Sequence, residues 1–136
     1  MATTSESSAT TPGRKFFDEH MAYIYANKID QMIDDQYTQD AVLISPFDVL
    51  STPAPHIVRG NKALKEFFHT YIDWQGSINV ESLYDFAETD DSIMFQAVFT
   101  SRTGKWVVGD AWHMRDGKID VHYSFAHRIG EGFTSA

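Results

Sequence analysis

The sequence predicts one α+β domain, in which three N-terminal helices pack on a curved antiparallel β-sheet. Apolar residues recur first at helical spacing and later, from about residue 77, at the two-residue spacing of strands. Short polar or glycine turns separate the later segments, and Asp116-Gly117 is the strongest hairpin signal among them. Helices followed by an antiparallel meander are typical of α+β proteins. The length of 136 residues fits a single domain.

The first predicted helix starts at Arg14, and Phe17, Met21 and Ile24 form its apolar stripe, with His20 on the same side. A second, shorter helix fits Ile29 to Gln36. A third follows Asn61 and runs to about Trp74, with an apolar face that we expect to be buried: Leu64, Phe67, Phe68 and Tyr71.

A short apolar strand is predicted from Ala41 to Ser45, ahead of the third helix. The four later candidate strands are Ser77–Glu88, Ser92–Arg102, Lys105–Met114 and Ile119–His127. Three prolines between Pro46 and His56 exclude a regular ladder there, so we expect a loop at the rim of a pocket, with His56 on the surface. Residues 1–13 and 131–136 are predicted tails, the first of them disordered, around a domain of residues 14–130.

Composition excludes several classes of partner and site. The formal charge of −8 disfavours nucleic acid and anionic membrane surfaces as partners. The chain has no cysteine, so disulfides and thiolate chemistry are excluded. No apolar run approaches the ~20 residues that span a bilayer, and the first residues do not form a secretory signal, so a cytoplasmic location is predicted. Histidine spacing indicates no metal site, and no phosphate-binding loop is present.

Three stretches, in this order along the chain, resemble the nuclear-transport-factor-2-like superfamily, which includes ketosteroid isomerases and SnoaL-like polyketide cyclases. The first is a short helix, an aromatic-x-x-Asp-Ala turn and a strand ending in proline, here IDQMIDDQYTQDAVLISP. The second is a helix opening, here VRGNKALKEFF. The third is a last hairpin, here GDAWHMRDGKIDVHYSF. The resemblance covers about residues 15–129. It implies a half-open cone that encloses an apolar pocket.

The resemblance also implies roles for single positions. Ser45 stands where ketosteroid isomerases have their carboxylate base, and Ser124 stands where SnoaL-like cyclases have theirs, so both familiar bases are missing. Asp110 falls where the isomerases keep a protonated aspartic acid that donates to a developing enolate, and His122 matches the His of the cyclase His-Trp-Asp sequence. The tyrosine of the first isomerase helix falls near His20 or Tyr23, which leaves that register open.

Strand alternation indicates which residues share a face with each of these positions. If Asp110 points into the cone, Trp106 and Trp112 do so too. If Ser124 takes the inward position that the resemblance implies for the cyclase aspartate, His122 faces inward with it. The tight Asp-Gly turn makes the last two strands neighbours, so Asp110 and His122 can lie across from one another. An aspartate beside a histidine in an aromatic cavity is a workable acid–base pair, although the same contact also occurs as a satisfied polar pair in a core.

The sequence therefore favours an enzyme that uses no cofactor: an isomerase, cyclase or lyase such as a dehydratase. Its substrate would be a small apolar ketone or polyketide-like molecule. Asp110 and His122 are the predicted catalytic residues. The predicted substrate-binding residues are His20, Tyr23, Ser45, Phe67, Trp106, Trp112 and Ser124. The alternative is a non-catalytic module of the same fold that binds an apolar ligand or docks a partner. A homodimer is also predicted, because the outward sheet face would expose large side chains such as Tyr123 and Phe125.

Overall fold

A computed structural model describes residues 11–45 and 56–129 of the chain. In these ranges it has three helices: α1 (Pro12–Tyr25), α2 (Ile29–Gln36) and α3 (Asn61–Gln75). It has six strands: β1 (Tyr37–Ser45), β2 (His56–Arg59), β3 (Asn79–Glu88), β4 (Ser92–Ser101), β5 (Gly104–Arg115) and β6 (Lys118–Arg128). The predicted α+β class is confirmed, and the helices pack on one face of a curved sheet.

The sheet is mixed rather than wholly antiparallel. Its strand order is β2-β1-β6-β5-β4-β3, and β1 pairs with β6 in parallel, whereas every other pair is antiparallel. The expectation of an antiparallel sheet is therefore wrong at this one pair. The tight turns that separate β3 to β6 fix only neighbouring strands, and they carry no signal for the pairing of β1 with a strand about 80 residues later.

Helix α1 begins at Pro12, two residues before the predicted start. Thr11 caps it, because the Thr11 hydroxyl accepts a hydrogen bond from the Arg14 amide at 3.1 Å. The amide of Gly13 donates to the Glu88 carboxylate at the end of β3, at 3.0 Å. The last two residues of the predicted tail, Pro12 and Gly13, therefore belong to helix α1. Residues 1–10 of that tail lie outside the described ranges.

Helix α2 spans Ile29–Gln36, as predicted, and ends where Tyr37 turns to extended backbone. The observed ends of β3 to β6 lie within two residues of the predicted ones. The rim predicted for the proline segment falls largely on residues 46–55, outside the described ranges. The predicted surface position of His56 is wrong. His56 pairs with Ser45 in the sheet and is buried beside the Phe67 ring.

The buried side chains form two clusters between the helices and the inner face of the sheet. The larger one joins Phe17 of α1, Met32 and Ile33 of α2, Leu64 of α3 and Trp112 of β5. The smaller one is centred on Phe99 and Trp106, near the end of α3. No helix in the described ranges has the length and apolar character needed to cross a membrane.

Candidate functional site

A cavity of about 390 Å³ lies between the helices and the inner face of the sheet. This volume is at the lower end of the range for small-molecule sites, roughly 300–1,000 Å³. Its wall is mainly apolar and comes from α1, α3, β1 and β3 to β6, with these phenylalanine and tyrosine members: Phe17, Tyr25, Phe67, Phe68, Tyr71, Phe95 and Phe99. At its exposed rim, Arg14 and Asp18 of α1 form an ion pair at 3.0 Å.

Asp110 and His122 meet at this cavity. Nε2 of His122 lies 2.8 Å from Oδ2 of Asp110, and the two side chains are 3% and 11% exposed, respectively. The two residues are not directly opposite each other, because Asp110 pairs with Ser124 and His122 pairs with Trp112. Asp110 and His122 are therefore diagonal neighbours on the inner face, within reach of each other's side chains.

Tyr37 completes a chain of three side chains. Its hydroxyl lies 2.8 Å from Nδ1 of His122, and the Tyr37 side chain is buried. Burial, reinforced by the Asp110 carboxylate, raises the pKa of Tyr37 well above its ordinary value, so the phenol keeps its proton. The spacing of apolar residues gave Tyr37 no role at the site, although it is the aromatic residue of the aromatic-x-x-Asp-Ala stretch.

The hydrogen bond between Tyr37 and His122 fixes the tautomer of the His122 ring. A buried hydroxyl needs an acceptor, and the acceptor that the structure gives Tyr37 is Nδ1 of His122. With Nδ1 accepting, the proton of the neutral imidazole sits on Nε2 and is donated to Oδ2 of Asp110. The chain therefore runs from the phenol through the imidazole to the carboxyl group of Asp110.

The second carboxyl oxygen of Asp110 is unsatisfied. Oδ1 is buried and has no hydrogen-bond partner among the described residues. A buried acceptor without a partner costs about 1–3 kcal/mol, so such an atom in a cavity wall favours a ligand that supplies the missing bond. Asp110 is thus oriented through one oxygen, while the other is available for a proton or a polar group of a ligand.

His20 is the second buried histidine at the cavity. Its Nδ1 lies 2.9 Å from Oε1 of Gln36, and its ring packs against Trp112 with centroids 4.5 Å apart. Burial, together with the neighbouring His122, lowers the pKa of His20 to about 3, against a smaller upward effect of Gln36. His20 is therefore neutral at physiological pH, and its bare ring nitrogen is a weak base there.

Three more of the predicted substrate-binding residues lie along the cavity: Ser45 at the end of β1, Phe67 on α3, and Ser124 on β6. Ser124 is directly opposite Asp110 in the strand register. Side chains in such a pair have Cβ atoms about 4.5–5.5 Å apart, so the Ser124 hydroxyl is near the carboxyl group.

The other three predicted substrate-binding residues do not line the cavity. Tyr23 turns its hydroxyl outward to Asp35, at 2.7 Å. Trp106 and Trp112 lie on the inner face, as the alternation required, but both are covered by helices. Trp74 of α3 packs on Trp106, and Phe16 and Phe17 of α1 pack on Trp112. Trp112 supports the site from behind, because its ring also contacts His20 and His122.

Comparison with protein-family models and with curated proteins finds no match. Comparison with solved structures finds many similar folds. An NTF-2-like protein of unknown function from Burkholderia xenovorans has a TM-score of 0.70 at 13% identity, over 90% of this chain and 88% of that one. A candidate ketosteroid isomerase from Kribbella flavida has a TM-score of 0.70 at 12% identity, over 93% of this chain and 86% of that one. A candidate polyketide cyclase from Sinorhizobium meliloti has a TM-score of 0.62 at 12% identity, over 81% and 93%. Likeness at this identity concerns the backbone, and it shows that the chain has the NTF2-like α+β cone fold.

Proposed function

We propose that the protein is a cofactor-independent acid–base enzyme, an isomerase, cyclase or lyase, that acts on a small apolar ketone or polyketide-like molecule. The observation that carries the proposal is the Tyr37–His122–Asp110 chain, which ends on an unpaired carboxyl oxygen at an aromatic-lined cavity. Two solved proteins of the same fold are described as a candidate ketosteroid isomerase and a candidate polyketide cyclase, which agrees with this class of chemistry.

The proposed step is a proton transfer at the carbon next to the ketone. Asp110, when ionised, takes the proton on Oδ1, and the electron pair of the broken C–H bond moves into the enolate. His122 holds the other carboxyl oxygen through Nε2–H, so the carboxylate keeps its direction. The Ser124 hydroxyl, opposite Asp110, can donate to the enolate oxygen. Return of the proton to a different carbon completes an isomerisation, and its delivery to a departing hydroxyl completes a dehydration.

The second candidate function is a non-catalytic ligand-binding module. It is favoured by the serines at positions 45 and 124, where the resembling isomerases and cyclases carry their carboxylate bases. Under this alternative, the cavity would bind the same apolar molecules, and the Asp110–His122 pair would only orient them.

Hydrogen exchange separates the two candidates without knowledge of the natural substrate. β-Tetralone, an apolar two-ring ketone, is incubated with the protein in D₂O, and the loss of its α-hydrogen signals is followed by proton NMR. We expect the protein to accelerate exchange over buffer and Asp110→Asn to lower the protein-dependent rate by about 10²–10⁴-fold.

The hairpin of β5 and β6 provides a matched control. Asp120 forms a second aspartate–histidine pair with His113 on the outer face, at 2.6 Å. Asp120→Asn makes the same chemical change outside the cavity and should leave exchange unchanged. Saturable binding of β-tetralone without accelerated exchange would reject the enzyme and support the binding module.

A further inference from the structure

The amide of Gln36 can take only one orientation. Its Nε2 lies 3.1 Å from the backbone carbonyl oxygen of Phe16, which accepts but cannot donate. The NH₂ group therefore faces Phe16, and the amide oxygen Oε1 faces His20. Because Oε1 can only accept, the bond of 2.9 Å requires Nδ1 of His20 to carry the proton.

A neutral imidazole with its proton on Nδ1 has a bare lone pair on Nε2. His20 lines the cavity, and no side chain in the described ranges makes a hydrogen bond to its Nε2. The ring is held in place by Gln36 on one side and by the Trp112 ring against its face. Burial keeps the pKa of His20 at about 3, so Nε2 remains unprotonated.

We propose that His20 is a fixed hydrogen-bond acceptor that selects ligands carrying a hydroxyl group, so that the substrate is a hydroxylated apolar ketone with an O–H that donates to Nε2. This rests on the proposed function, in that the same cavity binds the substrate. A neutral hydroxyl fits better than an ammonium group, because a charged donor would lose its hydration in an aromatic cavity without a paired countercharge at His20.

The rest of the polar wall is complementary to the same kind of ligand. The protons of Tyr37 and of His122 are both used inside the chain that ends on Asp110. Within the group of His20, Tyr37, Asp110 and His122, the polar atoms left without a partner are Nε2 of His20 and Oδ1 of Asp110, and the first is always an acceptor at neutral pH. A ketone without a hydroxyl group would leave Nε2 of His20 unpaired, and a buried unpaired group lowers affinity.

The test compares β-naphthol with its methyl ether, which has the same rings but no donor. We expect β-naphthol to bind the protein about tenfold more tightly, as one buried hydrogen bond implies. In His20→Phe the difference should vanish. In Asp110→Asn it should persist, although hydrogen exchange of β-tetralone is lost there, so a failure of this inference is distinguishable from a failure of the proposed function.

A second measurement covers the case in which His20→Phe does not fold. Long-range proton–nitrogen NMR of the wild-type protein at neutral pH reports the tautomer of each histidine, and we expect His20 to show a proton on Nδ1 and a bare Nε2 whose shift changes with β-naphthol. Equal affinities for the two naphthyl compounds, or no binding of β-naphthol at its solubility limit, would overturn the proposal. A tenfold preference that survives in folded His20→Phe, or a proton on Nε2, would overturn it as well.

Discussion

Nε2 of His122 lies 2.8 Å from Oδ2 of Asp110, although the strand register places these residues on a diagonal rather than opposite each other. The diagonal leaves the position opposite Asp110 to Ser124 and the position opposite His122 to Trp112. A carboxyl group is therefore flanked by an imidazole and a hydroxyl on the same face of the sheet.

Tyr37→Phe should disturb His122 while leaving the ring packing intact. Nδ1 of His122 would lose the donor that the Tyr37 hydroxyl supplies, and a buried unpaired nitrogen costs about 1–2 kcal/mol in the free energy of unfolding. The imidazole would keep its Nε2–H bond to Asp110 but lose its second hydrogen bond, so the ring would be held less firmly and exchange of β-tetralone should slow. Urea unfolding and histidine NMR measure these effects. Tyr23→Phe is the matched control, because the exposed Tyr23–Asp35 bond should contribute within about 0.5 kcal/mol.

The two histidines His20 and His113 should change stability with pH in opposite directions. The folded pKa of His20 is about 3, below the unfolded value of 6.5, so the unfolded state binds more protons between these values. The contribution of His20 to the free energy of unfolding is complete above about pH 6.5. It is lost as the pH falls, by up to about 1.4 kcal/mol per pH unit. Urea unfolding from about pH 7 to pH 4 should show a steeper decline for wild type than for His20→Phe.

His113 provides the opposite sign. A hydrogen bond to Asp120 raises the pKa of His113 above its ordinary value. Its stabilising effect is present below the unfolded pKa and fades as the pH rises through the folded pKa. Parallel pH profiles for wild type and His20→Phe would contradict the low pKa assigned to His20.

The outer face of the sheet should mediate a homodimer. The register aligns Ile57, Ile44, Tyr123, Ala111 and Met94 in one row across five strands, and Ile57, Tyr123 and Met94 are 54%, 42% and 52% exposed. An exposed apolar row of this length favours association with a second copy. Sedimentation should show a dimer at micromolar concentration.

The matched substitutions for this prediction are Phe125→Asp and Tyr25→Asp. Phe125 is 54% exposed on the same outer face, so a charge there should shift the protein to monomer. Tyr25 is 57% exposed on α1, on the opposite side of the sheet from the outer face, so the same change should leave the dimer intact. A wild-type protein that sediments as a monomer would reject the interface.

The contact between Thr11 and Glu88 should stabilise the start of α1. The Thr11 hydroxyl donates to Glu88, and the Gly13 amide donates to the same carboxylate, which ties the helix end to β3. Thr11→Ala and Glu88→Ala should each lower the free energy of unfolding by about 1 kcal/mol, and the double variant by less than the sum. Glu81→Ala, which breaks an exposed pair with Lys105, should cost less in the same urea unfolding measurement.

The inner face of the sheet was predictable because alternation is a local property. Asp110, His122 and Ser124 follow the two-residue period of β5 and β6, and the structure places all three along the cavity. Alternation does not say how far the cavity extends along a strand. Trp106 and Trp112 share the face of Asp110, yet helices cover both, and that cover depends on contacts from α1 and α3 that strand periodicity does not encode.

The role of Tyr37 and the parallel pair of β1 with β6 escaped the sequence for a related reason. Tyr37 stands at the junction of α2 and β1, and its position agrees with both the helical spacing before it and the strand spacing after it. Its partner His122 is 85 residues away, and the two meet only because β6 lies beside β1. Neither a turn signal nor a local apolar period reports such a long-range contact.

That parallel pair also sets the order in which the molecule can form. During synthesis, β1 emerges long before β6, and until β6 arrives one long edge of this largely apolar strand has no partner. An unpaired apolar edge is prone to pair with other chains, so the nascent protein passes through an interval in which aggregation competes with folding. Closing a loop of this length is slow compared with forming helices. We therefore expect the Tyr37–His122–Asp110 chain to be among the last features to assemble, after the helices that cover it.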